Sequence, residues 1–181
     1  AQWWPAARGC EWSAQLRSYV HLSCTADTAL EDTNLPDEPA HLARLNALAV
    51  GGADGGALFG AWAAAPPRAD VRATLEAVML REGEHAKSFA KRINELGFSV
   101  RETVAPNHAS RMDVARSTTL SDCEKFEQLN IGVKPQGTDV FTRFIDDLQI
   151  DTGTAHLLGR YSAADTANNR SPHPSAAARP A

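Results

Sequence analysis

The stretch LREGEHAKSFAKRINELG, residues 80–97, constrains the fold of this chain most, because it repeats as an amphipathic helix whose inner face is broken by two titratable residues. At helical spacing the apolar seam runs Leu75, Val78, then Phe89, Ile93 and Leu96, three or four residues apart as a buried stripe requires. The two positions that carry the seam from Val78 to Phe89 are Glu82 and His85. The opposite set, Glu84, Lys87, Ser88, Lys91 and Glu95, mixes both charge signs as a solvated helix face does. Burying a carboxylate and an imidazole costs several kcal/mol unless they are paired, hydrogen-bonded or bound to a cation. The inward pair therefore needs a reason.

The same periodicity organises the neighbouring segments. A helix over about 68–96 closes at Gly97, a good residue for the left-handed turn that ends a helix. Before it, a helix is expected from near Pro39 to about Ala64, with Leu45, Leu48, Gly52, Gly55, Phe59 and Trp62 on its seam and APPR as its stop. So short a connection makes the two antiparallel neighbours. Within the earlier helix, GGADGG either distorts the helix or is a turn between two shorter ones; four glycines cost roughly 3 to 4 kcal/mol relative to alanine in a helix interior.

An N-terminal helix is expected over about 11–31, with Trp12, Leu16, Tyr19, Ala26 and Leu30 on one stripe, ended by DTNLPDEP. After Gly97, FSVRETVAPNHAS reads as a loop, 113–130 as a helix, and 139–148 with 152–166 as a further helical region broken near Gly153. The tail from about Asn168, rich in Pro, Ser and Ala, is expected to be disordered. No segment alternates as a strand does. The chain divides into 1–39, an N-terminal helix and linker; 40–167, an all-α antiparallel bundle; and 168–181, the tail.

With 181 residues the chain suffices for one domain with a real core. A net charge of −4 without a concentrated basic stripe argues against nucleic acid or an anionic membrane as partner. No apolar run reaches the roughly 18 residues of a membrane span, so a soluble, cytoplasmic protein is expected, with a homodimer through the bundle helices as the partner class such faces allow. Cys10, Cys24 and Cys123 are odd in number and contain no Cys-x-x-Cys pair, which speaks against a disulfide framework or a zinc ribbon.

Glu82 and His85 stand at i and i+3, so both side chains reach one patch of the bundle axis. This is the Glu-x-x-His element that di-metal carboxylate bundles use. The run Glu82-Gly-Glu-His85-Ala-Lys, followed by Phe89 and the closing Glu95-Leu-Gly97, resembles the second helix of the rubrerythrin branch of the ferritin-like superfamily. The preceding glycine- and alanine-rich helix with Phe59 and Trp62 matches that family's first bundle helix, so the resemblance covers about residues 40–97. It implies a ferritin-like bundle holding iron, as a di-iron or single-metal centre, with Glu82 as the bridging carboxylate and His85 as a terminal ligand. Oxidoreductase chemistry on a small-molecule oxidant or substrate would follow.

The remaining ligands such a site requires are only partly present. The first-helix carboxylate falls at or next to Gly52, and the one acid of that helix, Asp54, points about 200° away from the seam position. The third helix offers Glu124, favoured by family spacing, or Glu127. The last helix lacks a second Glu-x-x-His; its seam reads Thr154, Leu157, Tyr161 and Ala164 or Asp165, with Asp151 and His156 to the side. Metal-ligand candidates are thus Glu82, His85, Glu124, Glu127 and Asp165. The alternative is a degenerate bundle without a metal centre, acting as a structural or interaction domain, in which Glu82 and His85 are hydrogen-bonded to each other, to Tyr161 or to water, with alanine and glycine packed opposite.

Overall fold

In the computed structural model of the chain the described residues are 39, 41–131 and 150–169, with backbone alone described for 70 and 162–169. The expected helices at 11–31 and 139–148, and most of the C-terminal tail, lie outside them. Among the described residues every regular element is a helix: α1 (Leu42–Ala64), α2 (Ala69–Glu95), α3 (His108–Arg116), α4 (Asp122–Gln128) and α5 (Thr152–Asn169). None of these helices is long and apolar enough to cross a membrane.

The apolar periodicity translates directly into the α1–α2 hairpin. Leu45, Leu48, Gly52, Gly55, Phe59 and Trp62 are all buried on α1, and Leu75, Val78, Phe89 and Ile93 are at most 3 % exposed on α2. Each fully buried side chain of this size stabilises the fold by roughly 1.5 to 3 kcal/mol relative to exposure. α1 begins at Leu42 rather than near Pro39, whose carbonyl accepts the Leu42 N–H at 2.8 Å and so forms the turn that leads in. α2 ends as read: Gly97 has φ +87°, its N–H donates to the Asn94 carbonyl and that of Phe98 to Ile93, the pairing that closes a helix through a left-handed residue.

GGADGG is neither a turn nor a break, since α1 runs through it unbroken. The glycines are there for helix approach. A Cβ on Gly52 would lie 3.0 Å from the Glu82 carbonyl oxygen and 3.1 Å from the Ala86 nitrogen, one on Gly56 3.5 Å from the Met79 carbonyl oxygen, and one on Gly60 3.0 Å from Met79 Sδ. Ascending positions on α1 meet descending ones on α2, which fixes the pair as antiparallel.

The single helix expected over 113–130 is two, separated by residues 117–121. Ser117 Oγ accepts from the N–H groups of Thr119 and Leu120, which turns the chain. Ser121 then caps α4 in a reciprocal box with Glu124, and Asn130, at φ 53°, closes it as Gly97 closes α2. Asp122 ties α4 to the end of α1, accepting from Trp62 Nε1 at 2.9 Å and from the Arg68 N–H at 3.1 Å.

Two apolar clusters result. One gathers Leu58, Phe59, Trp62, Val71, Leu75 and Val78 with Met112, Ala115, Leu129 and Ile131. The other gathers Leu42, Leu45, Leu48, Phe89 and Ile93 with Leu158 and Tyr161. Among the described side chains of α5, Thr154, Leu158 and Tyr161 are buried, so Leu158 takes the inward place expected of Leu157. Between the clusters, on the α1–α2 seam, lie Gly52, Gly55, Glu82 and His85.

Candidate functional site at the polar waist

The helical phase of α2 turns Glu82 and His85 inward, to 1 % and 8 % exposure. The Glu82 side chain lies against Gly55, whose Cβ would stand 3.5 Å from Glu82 Cγ and 3.6 Å from Oε2. Oε1 accepts no hydrogen bond among the described residues, although the residue has other interactions. A methyl at position 55 would be in ordinary van der Waals contact with the carboxylate, and only a larger side chain would crowd it.

His85 meets Tyr161 of α5 edge to face, with ring centroids 4.3 Å apart at 77°, a geometry the aromatic quadrupoles favour. Tyr161 in turn donates from its hydroxyl to Ser88 Oγ at 2.6 Å and accepts from Arg160 Nη2 at 3.1 Å. Burial, and then the positive charges of Arg81 and Arg160, lower the His85 pKa from 6.5 to about 4. The imidazole is therefore neutral at neutral pH.

The other expected ligands are not brought to this patch. Glu124 is exposed on α4 and its Oε2 accepts from the Ser121 N–H and hydroxyl, both at 2.7 Å, which lowers its pKa. Glu127 is exposed on the same short helix. The backbone of Asp165 is helical in α5, and its side chain lies outside the described residues. Asp54, on the face of α1 away from the seam, is engaged by His108 Nδ1 and by Arg111 Nη1. His156 is exposed, and Asp151 binds Arg92 Nη2 at 2.5 Å and caps α5 through Thr154. Among the described residues no group of three or more His, Cys, Asp or Glu side chains stands close enough to hold a metal ion.

Three features escape the sequence reading. The Ser121-x-x-Glu124 spacing is the signature of a capping box, and it explains Glu124 without a metal. Helical phase puts Asp54 off the seam, but its partners there, His108 and Arg111 of α3, leave no mark in the spacing. Lys125 is buried at 2 % exposure and donates to the Ala115 carbonyl at 3.0 Å, a placement that no spacing in the sequence marks. Comparison with protein-family models, with curated proteins and with solved structures finds no match.

Proposed function

We propose that the chain is a degenerate ferritin-like bundle acting as a structural or interaction domain, in which Glu82 and His85 form a polar waist in place of half a di-metal centre. The observation that carries this reading is Gly52: where the family pattern needs a first-helix carboxylate, a Cβ would lie 3.0 Å from the main-chain oxygen of Glu82. No longer side chain fits between those backbones without separating α1 from α2. Two further placements agree. Glu124 serves its own helix as a cap, and His85 makes its contact with Tyr161. The described donors therefore do not fit a two-metal site, for which two adjacent ligands are too few.

A single-metal, iron-handling reading keeps one observation in its favour: the neutral His85 imidazole is the form that ligates a cation. Anaerobic loading with ferrous iron, removal of the excess and measurement of bound iron separates the two. The parent, Glu82→Ala and His85→Ala are all expected to retain no stoichiometric iron. Stoichiometric iron in the parent, lost in both variants, would overturn the scaffold reading.

A further inference from the structure

Away from the waist, α3 meets α1 through one histidine. His108 Nδ1 is hydrogen-bonded to Asp54 Oδ1, and Arg111 Nη1 lies 3.3 Å from Asp54 Oδ2. A carboxylate only accepts, so Nδ1 carries the proton and, in the neutral imidazole, Nε2 carries the lone pair. The His108 side chain is 36 % exposed, and its ring has no second hydrogen-bond partner among the described residues. One ring nitrogen is therefore fixed on Asp54 while the nucleophilic one is open to solvent. The same carboxylate stabilises the positive charge that the ring acquires when Nε2 forms a bond.

We propose that His108 Nε2 is a modification site that accepts a phosphoryl group from a small donor such as a phosphoramidate, with Asp54 as its positioning residue. The Nε2 lone pair forms the new N–P bond, the bond from phosphorus to the donor's leaving atom breaks, and the leaving group departs with that electron pair. Nδ1 keeps its proton on Asp54 throughout, so the product is a phosphoimidazolium beside a carboxylate. Its place in the fold favours a phosphoryl group over an uncharged acyl group. His108 is the first residue of α3, whose first turn holds no acid and whose leading residue, Asn107, makes no side-chain cap; a doubly negative group is stabilised at such a helix end. His156 offers the contrast: it is exposed on α5, with no ring partner among the described residues.

The test is incubation of the full chain with potassium phosphoramidate, whose leaving group is ammonia, followed by phosphorus NMR and peptide mapping at neutral pH, with His156 as the internal control. His108 should be phosphorylated on Nε2 about tenfold faster than His156, the effect of one charge-assisted hydrogen bond that strengthens in the transition state. Asp54→Asn should bring His108 down to the rate of His156 and leave His156 unchanged. Arg111→Gln loosens the same contact between α1 and α3 but keeps the carboxylate, so it should retain the faster rate; this separates positioning of the imidazole from anchoring of the helix. The proposal fails if His108 reacts no faster than His156, if the phosphoryl group is found on Nδ1, if Asp54→Asn keeps the faster rate, or if Arg111→Gln abolishes it.

Discussion

A methyl group on Gly52 would stand 3.0 Å from the carbonyl oxygen of Glu82, a main-chain contact that no side-chain rotation relieves. Helix propensity alone makes Gly→Ala favourable by about 1 kcal/mol in a helix interior. At Gly52 the packing cost should exceed that gain, for a net loss of about 1 to 2 kcal/mol. At Gly83 a Cβ meets nothing within 4 Å, so Gly83→Ala should stabilise by about 0.5 to 1 kcal/mol. Gly55→Ala, in ordinary contact with the Glu82 side chain, should fall between them. Urea midpoints of the three variants check the order; equal gains at Gly52 and Gly83 would show that α1 and α2 are not in close approach.

His85 makes stability depend on mild acid. Its folded pKa of about 4 lies below the ordinary 6.5, so between those values the unfolded chain binds the proton and the folded chain resists it. Stability should therefore fall as pH drops from 6.5 toward 4, by roughly 2 to 3 kcal/mol in all. At lower pH Asp151 adds a second loss. Burial would raise its pKa, but hydrogen bonds from Thr154 and the Arg92 guanidinium outweigh it and hold the carboxyl at about 2 rather than 3.8. That contribution is present above 3.8 and fades as pH falls toward 2. Unfolding at about pH 7 and about pH 5 should show the first loss in the parent and much less in His85→Leu; an unchanged slope would place its origin elsewhere.

Asp54 anchors α3 to α1 through His108 and through Arg111 Nη1 at 3.3 Å. All three side chains are partly solvated, so the anchor contributes about 1 kcal/mol. Asp54→Ala should speed amide exchange over residues 108–116 by roughly fivefold, while residues 152–161, held through Asp151 and Arg92, keep their protection. Equal acceleration in both segments would mean that the whole fold had been weakened.

Much of the architecture was legible because α1 and α2 obey one periodicity throughout, polar interruptions included. Inward Glu82 and His85, the glycine seam and the Gly97 stop all followed from spacing. The break between α3 and α4 was missed because its cause is side-chain capping by Ser117 and Ser121, which leaves no trace in the hydrophobic pattern. Glu124 was placed at a metal for the same reason. Lys125 was unreadable in principle: its burial depends on the carbonyl of Ala115 and the face of Trp62, partners that only the tertiary fold brings to it.

The glycine seam also fixes how far α1 can slide along α2. A displacement of one turn, about 5.4 Å, in one direction would bring Leu48 to the place of Gly52, where even a methyl meets main chain. In the other direction Phe59 would take the place of Gly55, against the Glu82 carboxylate. Small residues four apart tolerate a slip in principle. Here the large neighbours at each end of the run act as stops, and the hairpin is left with one longitudinal setting.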